Sequence, residues 1–368
     1  MNKQVFVAIF ICFSLIALGS EQNDFRYMHC VTTKFLQGEN PYVRATAQSC
    51  VAKPTDQPID FLYPPTVFSL FVPLATLSQE LALIIWGLLS SAALTLSLLL
   101  ILKRTQTRWT EHQILVSAFC FFPAFYCLAL GQLACVLSLA FCLGALYFES
   151  SSKAKQLISG IAFALFVVKP NLAMLLLPLV LILALKSRRA HWLSGFTLGA
   201  AFLLGVPYGW NSAIYTQLLS ADLGSSLNWQ TPTLVSIGAA IFGTSKQLVC
   251  GVSFLAGLAL ISFEYWRYTK AKISAEWLLQ IGLVSGLLIS PYAWTYDYVI
   301  LFFPFLLVIN AIFVGEKKSY WLLLLLTLSC LRIAWSIEPQ LIDAAIPALL
   351  LVPLLSNGAF QAIHNRHT

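Results

Sequence analysis

Residues 81–102 read LALIIWGLLSSAALTLSLLLIL and run directly into Lys103 and Arg104. The stretch carries no charge, and as an α-helix it extends about 33 Å, enough to cross the hydrocarbon core of a bilayer. Working outward, apolar runs recur at 4–20, 113–130, 133–148, 156–168, 171–185, 193–210, 247–263, 276–290, 298–314, 320–336 and 341–356. Segment 65–77 is apolar but short and contains Pro73, which suits a half-span or re-entrant piece leading into 80–102. Only 10% of the 368 residues are charged, against about 25% in soluble domains, and the mean hydropathy is +0.80. No stretch alternates with the roughly ten-residue rhythm of a membrane barrel. The expectation is an all-α polytopic integral membrane protein with about 11–13 transmembrane helices, forming a single membrane-embedded domain over 1–368.

The net charge of +7 does not imply nucleic-acid binding, because the basic residues sit in short clusters between apolar runs. Those clusters are Lys103/Arg104/Arg108, Lys153/Lys155, Lys186/Arg188/Arg189, Arg267/Lys270/Lys272 and Lys317/Lys318. The positive-inside rule places them in the cytoplasm of a cell (inner or plasma) membrane. The opposite turns then hold Pro, Asn, Gln, Trp and Tyr residues. The first segment ends Ala17-Leu18-Gly19-Ser20, a sequence compatible with signal-peptide cleavage. Cleaved or not, residues 21–64 form a first extracytoplasmic loop.

That loop holds 5 of the 15 carboxylates: Glu21, Asp24, Glu39, Asp56 and Asp60. Residues 24–37 interleave apolar and polar side chains as an amphipathic interfacial helix would. Asp24 at its start fits two roles: a base meeting a soluble alcohol and a lipid-borne substrate together, or an N-cap. Cys30 and Cys50 share the loop, where a disulfide is open to them. Cys120, Cys127, Cys135 and Cys142 lack metal-ligand spacing and read as small packing residues.

Lys169 follows an apolar run and precedes Pro170-Asn171, on the face that the basic clusters avoid. Such a cation either snorkels outward or binds an anionic partner such as a lipid phosphate. Gln132 after Gly131, and Asn171, belong to the same layer, where turn and cap roles compete with substrate contact. Asn228-Trp229-Gln230 and Trp294 offer amides and rings for sugar hydroxyls, though Trp is also an interfacial anchor. Asp297 adds a second carboxylate, or a cap for the next helix. Arg26, Arg44, Lys53, Lys246 and Arg332 complete the outward basic set with Lys169, and Arg332, inside 320–336 near its outer end, is the one placed to reach an anionic headgroup.

Taken in order, Asp24-Phe25 with Tyr27, Gly38-Glu-Asn-Pro-Tyr42, Tyr63-Pro-Pro65, Gly131-Gln132, Lys169-Pro170, Asn228 to Leu234 and Ser290-Pro291 with Trp294 resemble glycosyltransferase family 87. The resemblance implies a GT-C-type fold and polyprenol-phosphate-mannose-dependent transfer. It implies inverting chemistry at the extracytoplasmic face, with Asp24 as general base. The partners would be a polyprenyl-phosphate-linked sugar donor, a glycolipid or glycan acceptor and the lipid bilayer. Lys169, Arg332 and Arg26 would hold the donor phosphate, while Tyr27, Tyr63, Gln132, Asn171, Asn228, Trp294 and Asp297 would contact substrate. Family members often carry histidines after Ser-Pro-x-x-Trp, whereas this chain has Tyr296-Asp297. No Asp-x-Asp pair is present, and neither metal nor cofactor is expected. The competing class is a flippase or transporter of a glycan precursor, which calls for polar residues continuing through the membrane midplane.

Overall fold

The computed structural model describes residues 3–51, 60–105, 110–119, 121–221 and 231–307, with 346, 347, 350 and 351. The described residues contain helices and turns but no strand. In chain order the α-helices are α1 Lys3–Leu18, α2 Asn23–Leu36, α3 Arg44–Gln48, α4 Phe68–Ala75 and α5 Gln79–Thr105. There follow α6 Glu111–Phe119, α7 Phe122–Leu130, α8 Ala134–Phe148, α9 Lys153–Ala164 and α10 Leu176–Lys186. The last five are α11 Ala190–Trp210, α12 Ile214–Leu219, α13 Leu234–Phe242, α14 Lys246–Thr269 and α15 Ala275–Leu288.

Three of these are long and apolar enough to cross a membrane: Gln79–Arg104, Ala190–Trp210 and Lys246–Thr269. The bent pair α1 and α2 makes a fourth if it counts as one broken span. The chain is therefore a polytopic helical membrane protein, but many of the expected spans are shorter than the apolar runs suggested. The run 113–130 is divided between α6 and α7, with Pro123 in the first turn of α7. The run 156–168 gives the 12-residue α9, about 18 Å long, and then a 3-10 turn at Leu165–Val168. Proline and a buried lysine interrupt the apolar pattern there, and hydropathy alone does not register such breaks. The runs 320–336 and most of 341–356 lie outside the described residues.

Three of the hydroxyls of α5 are accommodated within its own backbone, while that of Ser90 is buried without a partner among the described residues. Ser91, Thr95 and Ser97 donate to the carbonyls of Gly87, Ser91 and Ala93 at 2.8, 2.9 and 2.8 Å, so an apolar helix carries them without orphaned protons. Thr233, Ser245 and Ser274 cap α13, α14 and α15 by accepting from Ser236, Leu248 and Trp277 amides. Helices α9 and α11 pack through glycine. A Cβ on Gly160 would stand 2.1 Å from the Trp192 carbonyl oxygen, and one on Gly195 would stand 2.2 Å from that of Leu157. This is the small-residue contact by which membrane helices approach closely.

Helix α2 forms as the amphipathic pattern predicts, but its apolar face turns onto protein rather than lipid. Phe25, Val31 and Phe35 are fully buried. Phe25 stacks near Trp86 of α5, and Phe35 stacks on Phe68 of α4 at 4.3 Å. The short 65–75 segment is itself held among helices, with Thr66 donating to the Val167 carbonyl and Ser69 to that of Leu203. Cys30 and Cys50 form a disulfide that ties the loop after α3 back to α2. Cys127, Cys135 and Cys142 are buried free thiols in α7 and α8, consistent with packing roles.

Candidate active site

The site begins at the bend between α1 and α2, which turns the chain through 66°. Gln22 makes the bend in the left-handed region, at φ 46°. Its backbone N–H donates to the Ala129 carbonyl at 3.2 Å and its side-chain amide to that of Ala17 at 2.7 Å. Gln22 thereby occupies the N-cap of α2 without a side-chain capping bond. The capping role open to Asp24 is not realised. Its carboxylate turns instead to Gln132, whose Nε2 donates to Oδ2 at 2.6 Å.

Gly131 makes that contact feasible. It ends α7 at φ 69°, where glycine is favoured, and a Cβ there would meet the Phe25 Cβ at 2.7 Å. Trp86 Nε1 donates to the Gly131 carbonyl at 2.7 Å and pins the turn. On the far side of Gln132, the Tyr63 hydroxyl donates to Oε1 at 3.0 Å.

Lys169 lies where two 3-10 turns meet, Leu165–Val168 before it and Pro170–Ala173 after it. It does not snorkel; only 5% of the residue is exposed. Its ammonium pairs with Asp297 Oδ1 and sits over the rings of Tyr63 and Tyr296, 5.4 and 5.0 Å from their centroids. Asp297 also caps the 3-10 turn Thr295–Leu301, with Oδ2 accepting from the Trp294 backbone N–H at 3.0 Å. Asn171 Nδ2 donates to the Tyr292 carbonyl at 2.8 Å, joining the two turns.

These elements enclose a cavity of about 390 Å³, within the range of small-molecule sites. Asp24, Arg26, Tyr27, Tyr63, Gln132, Lys169, Asn171, Trp294 and Asp297 all line it. Asn228 and Arg332 fall outside the described residues. Burial chiefly raises the pKa of Asp24; the Gln132 hydrogen bond and the nearby Lys169 charge pull it back, and Asp297 adds to the rise. Burial also pushes the Tyr63 hydroxyl up to about 12, which keeps it a donor. Among the described residues, no three His, Cys, Asp or Glu side chains gather as a metal-ligand set.

Four expected substrate contacts have protein partners, Tyr63 and Asn171 through one polar atom each and Asp297 and Gln132 through both. Both oxygens of Asp297 and both ends of the Gln132 amide are taken up by the protein. Arg26 is partly engaged as well, donating through Nε to the Glu21 carbonyl at 2.8 Å. Sequence reasoning missed Gln22, which no motif marks, and the lining residues Tyr292 and Tyr296, which flank Trp294 in the stretch already singled out. It also missed Cys50 and Val51, which the disulfide brings to the cavity wall.

Residues 61–291, well over half of the chain, match the model of glycosyltransferase family 87. The chain belongs to glycosyltransferase family 87. It is accordingly a membrane glycosyltransferase. No curated protein and no solved structure matches it. The family 87 match includes Tyr63, Gln132, Lys169 and Asn171 but begins after α2 and ends before Trp294. Asp24 and Asp297 thus lie outside it, and each is bonded to a residue inside it: Asp24 to Gln132, Asp297 to Lys169.

Proposed function

We propose that this family 87 enzyme transfers a sugar, with mannose preferred by resemblance, from a polyprenyl phosphate to a hydroxyl of a glycolipid or glycan at the extracytoplasmic face. The observation that carries this reading is the meeting of the Asp24 carboxylate and the Lys169 ammonium at one cavity. Gln132 bonds Oδ2 of Asp24, and among the described residues no bond occupies Oδ1. That oxygen accepts the acceptor's hydroxyl proton as the acceptor oxygen bonds to the anomeric carbon. The bond from that carbon to the phosphate oxygen breaks on the opposite side, inverting the centre. The departing polyprenyl phosphate takes the electron pair, and Lys169 with Arg26 offsets its charge. Asp297 acts here by holding Lys169 rather than by touching sugar. Tyr27, Trp294 and Asn171 remain the proposed substrate contacts.

Chain direction supports the sidedness. Helix α9 starts at Lys153 and Lys155 and leads to Lys169; α10 leads away from it and ends at Lys186. The cavity is therefore at the opposite end of both helices from the basic clusters. Those clusters meet other elements at their own end, as in the Arg104–Glu276 pair at 3.3 Å and the Arg189 guanidinium over Phe148. The positive-inside rule assigns that end to the cytoplasm. A disulfide at the cavity wall fits an oxidising compartment.

The test is transfer by purified protein in liposomes, using radiolabelled polyprenyl-phosphate-mannose and a membrane lipid extract as acceptor. Labelled glycolipid from the wild type, absent with a folded Asp24→Asn variant, is the expected result. Undiminished transfer by that variant would remove Asp24 from the mechanism. Translocation of the lipid carrier without sugar transfer would favour the flippase class.

A further inference from the structure

The chain Tyr63–Gln132–Asp24 has only one workable polarity. An ionised carboxylate offers no proton, so the Gln132 NH2 must face Asp24 and its carbonyl must face Tyr63. The Tyr63 hydroxyl then has to donate, which its burial-raised pKa ensures. Gln132 is itself nearly buried, at 5% exposure, so water does not readily replace these partners.

We propose that Gln132 and Tyr63 are positioning residues for the base. Tyr63 fixes which end of the Gln132 amide faces Asp24, and the amide fixes which carboxylate oxygen is left for the acceptor. This rests on the reading of Asp24 as general base and deepens it. Neither residue then serves chiefly as a sugar contact. Tyr63 has a second duty, since its ring lies 5.4 Å from the Lys169 ammonium. One side chain therefore contacts the amide that holds the base and the cation that faces the leaving phosphate.

Other charged and titratable groups surround Asp24. Lys169 favours its ionised form, while Asp297 opposes it. The phenols of Tyr27 and Tyr296 also feel the Asp24 charge. Glu21 and Arg26 are its neighbours along the chain. Of the groups coupled to Asp24, only the Tyr63 phenol also bonds Gln132, and the Tyr63→Phe variant separates its share, so the remaining change in Asp24 titration reports the lost hydrogen bond.

The experiment uses two readouts on the full chain. Infrared difference spectra collected across pH follow the protonated-carboxyl band of Asp24, identified by its absence in Asp24→Asn. Transfer from polyprenyl-phosphate-mannose to the lipid extract is measured in parallel. Gln132→Met is expected to move the Asp24 midpoint up by about one pH unit and to lower kcat about tenfold, with donor KM little changed. Tyr63→Phe, which keeps the ring, moves the midpoint the same way by less. The double variant goes no further than Gln132→Met, because both act through one chain of bonds.

If both folded variants keep the wild-type midpoint and only KM rises, the positioning role is overturned and substrate contact stands. The infrared arm needs no turnover. A shifted midpoint together with transfer that survives Asp24→Asn would therefore refute the general-base reading, and the proposal with it, while leaving the hydrogen-bond chain established.

Discussion

Lys169 and Asp297, 128 residues apart, form a buried ion pair in which the aspartate also caps its own turn through the Trp294 amide. The lysine is 6% exposed and the aspartate 1% at the side chain, so neither has water to fall back on. Removing one member leaves the other charged, buried and unpaired.

Lys169→Met and Asp297→Leu are each expected to cost about 3–5 kcal/mol of stability, read as a lower Tm in detergent. The double substitution should cost much less than the sum, because no uncompensated charge remains. Strict additivity would show that the pair is not coupled. Transfer should be lost in the double variant even where stability recovers, since the phosphate has no cation at that position.

The sequence displayed part of this arrangement and concealed part. Lys169 stood out because a cation after an uninterrupted apolar run needs an explanation. Asp297 was visible as a second carboxylate in an aromatic turn. Their pairing was not visible, since it depends on how the turn after α9 and the turn at 295–301 pack. The length of the spans misled for a related reason: hydropathy counts apolar residues but does not see that a new helix opens at Pro123 or that α9 gives way to 3-10 turns around Lys169. The amphipathic pattern of α2 was legible. What covers its apolar face was not, because lipid and the aromatic rings of Phe68, Phe71 and Trp86 present the same chemistry to a sequence.

Asp24 gives opposite signs for stability and activity. Its pKa is raised from 3.8, mainly by burial, so the ionised form is unfavourable in the folded state. Below 3.8 the group is protonated whether folded or not, and the stability it then supports declines as pH rises through its folded value. Asp24→Asn is therefore expected to raise Tm at neutral pH, with the gain vanishing in acid. Transfer, which needs the carboxylate, should be abolished. A Tm gain independent of pH would show that ionisation is not its origin.

The same shift predicts the acid limb of the wild-type pH profile. Deprotonated Asp24 is required, so kcat/KM should fall as pH drops through a value above 3.8, earlier than an ordinary aspartate would allow. A profile flat down to pH 4 would contradict a buried base.

Gly131→Ala should be poorly tolerated. The residue sits at φ 69°, and the added Cβ would be 2.7 Å from the Phe25 Cβ and 3.0 Å from Gln22 Oε1. Strain and clash together should cost more than 1 kcal/mol, roughly, and shift Gln132 away from Asp24. The checks are Tm and residual transfer; a variant with unchanged values would mean that the α1–α2 bend yields easily.

Breaking Cys30–Cys50 as the double serine variant should lower stability by about 2–4 kcal/mol. Because Cys50 and Val51 form cavity wall, acceptor KM should rise more than donor KM. Equal changes in both would place the wall away from the acceptor.

Helices α14 and α15 are neighbours with opposite surroundings: only 17% of the apolar window of α14 is buried by protein, whereas α15 buries every residue but Glu276. Lipid tails accept any apolar side chain, so exchanges among Leu, Val, Ile and Phe at the exposed positions of α14, such as Leu248, Val252, Leu255 and Phe263, should be nearly silent, unlike those at Ile261. A directed-evolution library meant to improve expression or detergent tolerance can be concentrated there, while α15 leaves almost no room for variation.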